Sequence, residues 1–296
     1  MTEINWDRRF AAFVARKQKE ARNTTLSPLV TEIDRGGRDL LWIGDSWTTT
    51  LFDGPFYMSR LRSEDSPGAS ARQALPAVNL VFVQSRNGDT GAADPSTLGA
   101  GDTDKHLIYE GLSRVAVDAV LAGAETIRGG DVLFSVWRDE LVRLRVALGK
   151  RRHPAQIVAT LRGLAFDNTL LYNVPSIPVI LLTVSGCADL MDRALAERPW
   201  ITPVVMKDKN DLRSAFTELR RMDIERVSVV GGRTVATALI DAGLVRDIYL
   251  TTSPREGGQP NTPMYPKPLD AEVVVRKHGT GEEAGVVFEH LLARRP

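Results

Sequence analysis

An α/β fold built on a mainly parallel central sheet, with helices on both faces, is what this sequence predicts, and three observations predict it. From about residue 75 onward, short, β-branched, nearly continuously apolar runs follow one another, which is how strands buried on both faces read. Amphipathic stretches of helical spacing lie between several of them, the alternation that produces βαβ units. The last two apolar runs, from Glu272 and Ala284, have no helical segment between them, so the closing strands are expected to be antiparallel.

In chain order, Trp6, Phe10, Phe13 and Val14 recur at helical spacing, giving a helix with one apolar stripe that docks on the main body. DLLWIGDSW, from Asp39, is a candidate strand, and LFDGPFYM carries an Asp-Gly-Pro turn signal. SEDSPGASARQALP, from Ser63 to Pro76, has the Ser, Pro, Gly and Ala content of a linker. It divides an N-terminal extension, residues 1–74, from a main domain, residues 75–296. The strands of that domain begin near Ala77, Asp118, Ala155, Pro178, Thr202, Arg226 and Asp247. KHLIYEGLSRVA, RDELVRLRVALG and DLRSAFTELRRM are its helix candidates.

Lys and Arg number 38 against 37 Asp and Glu. With no basic stripe to neutralise phosphates, a nucleic acid or an acidic membrane is not the expected partner. The single cysteine, Cys187, excludes an intrachain disulfide or a zinc site of several thiolates and fits a reducing compartment. The first twenty residues mix charges with apolar groups, unlike a signal peptide, and no run has transmembrane length. A soluble cytoplasmic protein is expected. The histidines, His106, His153, His278 and His290, are scattered, and the H-x-E and P-C-x-x-C elements of a zinc deaminase are missing from the sequence; no metal is expected.

The stretch most suggestive of chemistry is VSVVGGRTVATALIDAGL, from Val227. Gly231 and Gly232 separate a strand from a helix that opens with Arg233 and Thr234. Bare amides at a helix start attract phosphate when the backbone can come close, and glycine permits that approach. A tight βα turn needing glycine only for its backbone reads the same way. A second junction, Gly123-Ala124-Glu125-Thr126, leaves the strand beginning at Asp118 in a similar manner. Two such turns at one end of a parallel sheet would frame a cleft where ligands bind in open α/β folds.

These residues, HLIYEGLSRVAVDAVLAGAETIRGGD followed by VVGGRTVATALIDAGLVRDIYLTTSP, resemble the riboflavin-pathway pyrimidine reductases. Those reductases form the C-terminal domain of RibD-type proteins and share the dihydrofolate-reductase fold. The resemblance covers residues from about Leu75 to the C-terminus and implies NADPH as hydride donor. It assigns the pyrophosphate to Gly231, Gly232, Arg233, Thr234 and Val235, and further cofactor contacts to Gly123 and Thr126. It places Val83 and Ser85 near the nicotinamide and the reacting carbon and puts Arg114 on the substrate; Ser85 and, from its own amide, Asn87 are the other residues expected to meet the substrate. It also departs from the family pattern: Ser85-Arg86-Asn87-Gly88 stands where Ser-Leu-Asp-Gly is frequent, Val230 replaces an acid, and a phosphate-binding arginine falls by spacing near Trp137. The activity implied is hydride transfer to a pyrimidine, pteridine or related small molecule. The alternatives are a nucleotide-binding scaffold that keeps the fold without turnover, or a flavin- or phosphosugar-binding enzyme. By the same analogy the chain is expected to form a homodimer through the edge offered by its late antiparallel strands.

Overall fold

The computed structural model describes residues 4–61, 75–92, 95–128 and 130–294. Among these residues ten strands, numbered along the chain, form one sheet. Its order is β1 (Leu29–Asp34), β11 (Ala271–Gly279), β12 (Val287–Ala293), β10 (Val245–Thr252), β4 (Ala77–Gln84), β9 (Arg226–Val230), β5 (Ala119–Gly123), β6 (Ala155–Ala159), β7 (Val179–Val184), β8 (Ile201–Met206). Every pairing from β10 to β8 is parallel. The pairings of β10 with β12, β12 with β11 and β11 with β1 are antiparallel. A separate hairpin pairs β2 (Leu40–Ile43) with β3 (Phe56–Ser59).

The inner parallel strands are mostly apolar because both of their faces are covered, whereas the edge strand β8 is half exposed. Val120 and Ala122 of β5 turn to one core with Val158 and Leu181, while Ala119 and Leu121 turn to the other with Ile157 and Ile180. Period-two side-chain alternation produces this split. Each fully buried Val, Leu or Ile contributes roughly 1.5–3 kcal/mol. The first core also packs α1 (Trp6–Asn23) and the helix Asp104–Leu112. The second packs the helices Leu212–Arg221 and Arg233–Asp241.

The helix expected near Trp6 forms, and its stripe docks as the spacing predicts. Phe13 is buried and meets Trp137 edge-on at 5.7 Å between ring centroids. Its charged side is tied down as well, by Arg9 to Asp131 at 2.6 Å, Lys17 to Glu110 at 2.8 Å and Arg22 to Asp139 at 2.7 Å. The strand β1 was not legible in the sequence. It covers the outer edge of β11, the edge that the late antiparallel strands would otherwise present. The linker expected over Ser63–Pro76 falls, for residues 63–74, outside the described residues.

The helix at Asp104–Leu112 is wound as a π-helix with a kink at Gly111 (φ −125°, ψ −108°). A Cβ at Gly111 would stand 2.8 Å from the His106 carbonyl oxygen, so a larger residue cannot enter that bend without shifting backbone. Cys187 is buried. Among the described residues no helix is long and apolar enough to cross a membrane.

Candidate active site

The two glycine turns meet. Gly231 (φ +67°) and Gly232 (φ +77°) adopt the left-handed conformation directly after β9, which only glycine enters without strain. A Cβ on Gly231 would lie 3.4 Å from the Thr126 methyl, and one on Gly232 would lie 3.8 Å from a Val235 methyl. A Cβ on Gly123 would stand 3.5 Å from the same Val235 side chain. Gly123, Thr126, Gly231, Gly232 and Val235 are thus one constellation at the carboxyl ends of neighbouring strands β5 and β9.

The helix Arg233–Asp241 starts here with no side-chain cap, and its first bond to a preceding carbonyl runs from the Ala236 amide to Gly232 O at 3.0 Å. Among the described residues the amides of Gly232, Arg233, Thr234 and Val235 have no protein acceptor. Gly232, Arg233 and Thr234 are solvent-exposed. Unpaired N–H groups, a positive helix end and a backbone with no Cβ in the way together make an anion site.

Beside it lies a cavity of about 300 Å³ whose floor includes Leu121, Leu182 and Leu239. Thr126, Gly232, Thr234 and Val235 line one wall, and Arg128, Arg162 and Lys209 stand around the mouth. Arg162 follows β6 in the turn Thr160-Leu161-Arg162-Gly163, closed by the Thr160 hydroxyl donating to Gly163 O at 3.1 Å. Sequence reasoning missed Arg162 and Lys209. The signal available was a third strand exit with a glycine, Gly163 (φ +85°).

A second cavity, about 690 Å³, opens at the ends of β4 and β10. Val83 lines it together with Asp104, Lys105, Tyr109, Glu110 and Arg255. Burial alone would raise the Glu110 carboxyl, but His106 at 3.3 Å, Lys17 and Arg114 bring it down to about 2. Asp104 behaves oppositely. Burial pushes its carboxyl up, the Thr251 hydroxyl bonded to it offsets part of the rise, and nearby Glu283 adds to it, leaving it at about 7.

Because that value lies above the ~3.9 of an unfolded chain, the folded state holds the proton more tightly. The stability gained is full below about pH 4 and is lost as pH rises toward 7. Asp104→Asn is expected to flatten this part of the stability profile, by on the order of a few kcal/mol between the two limits. Urea midpoints of both proteins at mildly acidic and mildly alkaline pH measure it, and parallel profiles would contradict the expectation.

Of the residues expected on the substrate, the structure brings none to this cavity wall. Ser85 is fully buried, with its hydroxyl donating to Asn87 Oδ1 at 2.7 Å and its amide to Asp89 O at 3.0 Å. The Asn87 amide is bonded to the Asp89 carboxylate. The turn therefore satisfies itself, and Asp89 Oδ1 accepts from the Thr262 amide at 2.7 Å, holding the neighbouring loop. Arg114 is 1% exposed, stacked 4.4 Å from the Tyr109 ring centroid and donating to Ser135 O at 3.2 Å. Tyr109 lines the second cavity and Arg114 does not.

The sequence model of the RibD C-terminal domain family matches residues 76–280. Among solved structures, a pyrimidine reductase-like protein from Corynebacterium diphtheriae superposes with a TM-score of 0.61 at 22% identity, over 75% of this chain and 93% of that one. A diaminohydroxyphosphoribosylaminopyrimidine deaminase/5-amino-6-(5-phosphoribosylamino)uracil reductase from Thermotoga maritima gives 0.56 at 17% identity, over 74% of this chain and 57% of that one. A riboflavin biosynthesis reductase from Saccharomyces cerevisiae gives 0.50 at 18%, over 77% and 93%. At these identities the likeness is one of fold, and the chain spans under two thirds of the Thermotoga protein. No curated protein sequence matches.

Proposed function

We propose, since this chain belongs to the RibD C-terminal domain family and has its dihydrofolate-reductase-like fold, that it is an NADPH-dependent reductase of a pyrimidine, pteridine or related heterocyclic small molecule. The observation that carries the reading is the row of bare amides from Gly232 to Val235, set against Thr126 at the carboxyl ends of β5 and β9. The relatives from Thermotoga and Saccharomyces, named as reductases, support it.

The residues present fit NADPH. The amides and the positive helix end would hold the pyrophosphate, with Arg233 adding a charge-assisted contact. Arg162 and Lys209 would meet the additional phosphate that distinguishes NADPH from NADH. The apolar floor of Leu121, Leu182 and Leu239 would take the adenine. When bound, the cofactor supplies the hydride and the two electrons of the reduction. The chain itself orients the partners and excludes water, with Val83 on the nicotinamide side and the second cavity, walled by Tyr109 and Glu110, receiving the substrate.

Arg162→Ala is expected to weaken NADPH binding on the order of tenfold, the loss of one charge-assisted phosphate contact, while NADH affinity stays within about twofold. Fluorescence titration with both dinucleotides measures the pair, and an equal loss for NADH would remove the phosphate role of Arg162. The reading as a whole is tested by titrating the wild-type protein with NADPH and following absorbance at the nicotinamide band during incubation with reducible pterins and aminopyrimidines. Absence of NADPH binding sinks it.

The division into an extension, residues 1–74, and a reductase domain, residues 75–296, belongs to this proposal, as does a homodimer. Since β1 covers β11, the pairing edge on that side is β1 itself. Light scattering that returns the 32.5 kDa of one chain would contradict the dimer.

A further inference from the structure

The helix α1 lies ahead of residues 76–280, the stretch matched by the family model, yet it reaches two side chains that line the second cavity. Glu20 of α1 pairs with Lys105, and Lys17 donates to Glu110 Oε1 at 2.8 Å. Lys17 and Glu20 themselves stand 3.6 Å apart, one turn along the helix. The four side chains thus form a single chain of alternating charge running from α1 into the cavity wall.

That wall is unbalanced in sign. Among the described residues lining it, Asp102, Asp104, Glu110, Glu282 and Glu283 carry carboxyls, against the cations Lys105 and Arg255. With Asp104 set aside, four carboxyls still face two cations. Glu110 is the most constrained of them, 8% exposed, with Oε2 3.3 Å from His106 Nδ1 but without a hydrogen bond. Burial opposes its charge, whereas His106 and Lys17 bring its carboxyl down to about 2. A buried carboxylate oxygen lacking a donor is a costly arrangement, and an N–H from a ligand relieves it.

Resting on the reductase reading, we propose that the substrate is a heterocycle bearing amino or ring N–H donors and no phosphate, that Glu110 accepts from one of those donors, and that α1 sets this selection through Lys17 and Glu20. A phosphate ester would bring about two negative charges to the cavity. With Lys105 engaged by Glu20, it would meet the carboxyls and the other cation, Arg255. An amino-substituted ring meets a potential of opposite sign instead. Selection then comes from repulsion of the ester as much as from attraction of the amine. Lys17 and Glu20 are positioning residues in this arrangement, and Glu110 is the group that touches substrate.

The test compares an aminopyrimidine riboside with its 5′-phosphate, by calorimetry on the full chain saturated with NADP⁺. The riboside should bind at least about tenfold more tightly, and added salt should narrow the difference. Glu20→Gln releases Lys105 from a position outside the cavity, so it should shift the ratio about tenfold toward the phosphate, the weight of one charge-assisted contact. Glu20→Asp keeps the charge and should leave the ratio near that of the wild type. Glu110→Gln should weaken riboside binding about tenfold. NADPH affinities at the wild-type level would show that these variants are folded. A wild-type protein that favours the phosphate ester overturns the proposal, as does one that binds NADPH and neither probe, or a Glu20→Gln variant with an unchanged ratio. In each of those cases the reductase reading stands on its dinucleotide binding. A wild-type protein that binds no dinucleotide overturns the reading itself, and this proposal with it.

Discussion

Gly232→Asp is expected to weaken NADPH binding about a hundredfold or more while leaving the protein folded. Gly232 sits at φ +77°, where a side chain costs roughly 1–2 kcal/mol. The space around it is open, with nothing closer than 3.8 Å to an added Cβ, so packing adds little to that strain. The larger loss is electrostatic. The carboxylate would stand at the mouth of the unpaired amides, accept from them, and repel the phosphates that they are proposed to hold.

Gly232→Ala separates the two contributions, because it carries the conformational strain without the charge. Its melting temperature should fall with that of the Asp variant, whereas its NADPH affinity should lie between wild type and Asp. Ligand-induced stabilisation gives an independent readout. Saturating NADPH should raise the melting temperature of the wild type and leave the Asp variant unmoved. Equal affinities in all three proteins would mean that the cradle is only a tight turn.

That cradle was legible in the sequence because its requirements are local. Two glycines between a buried strand and an amphipathic helix specify left-handed backbone and open space whatever surrounds them. The seven parallel strands were legible for a related reason, since burial on both faces leaves Val, Ile, Leu and Ala at most positions of the inner ones. The strand β1, LVTEID, was not. As an edge strand it alternates buried and exposed positions and carries two acids, so it resembles a polar loop.

The helix near Lys105 was foreseen, but its π-winding follows from the close approach of Gly111 to the His106 carbonyl, which no apolar periodicity encodes. The site was read unevenly on the same principle. Ser85 and Asn87 carry groups that could meet a substrate, yet they are bonded to one another, to Asp89 and, for Asn87, to the Gly257 amide. Asp104 gave no signal because the hydroxyl that fixes it belongs to Thr251, 147 residues further on.

Asp247→Ala is expected to destabilise the protein by about 3–5 kcal/mol, the usual result of breaking a buried, hydrogen-bonded charge network from one side. Asp247 on β10 is 2% exposed. It accepts from the Ser59 amide at 3.1 Å, from the Ser59 hydroxyl at 2.9 Å and from His290 Nε2 at 2.8 Å. Ser59 ends β3, and its carbonyl in turn accepts from Arg226 of β9 at 2.8 Å. The carboxylate thus joins the small hairpin of the first 61 residues to β10 and β12, and the Ser59 carbonyl adds a link to β9. Truncation to alanine would leave a buried amide, a hydroxyl and an imidazole nitrogen without their acceptor, each a desolvation loss of about 1–3 kcal/mol.

Asp247→Asn keeps one oxygen for Ser59 but presents a mixture of donor and acceptor to His290, so its loss should be smaller. Urea unfolding monitored by tryptophan fluorescence gives the ordering wild type, Asn, Ala. At roughly 2–4 °C per kcal/mol for a chain of this size or a little smaller, the alanine variant should melt about ten degrees lower. Its NADPH affinity, measured below the transition, should be unchanged, because Asp247 lies at the start of β10 and the cradle at the end of β9. A loss below about 1 kcal/mol would mean that the hairpin is held by its apolar contacts, with Phe56 against Tyr249 and Phe288, and that the carboxylate only fills space between them.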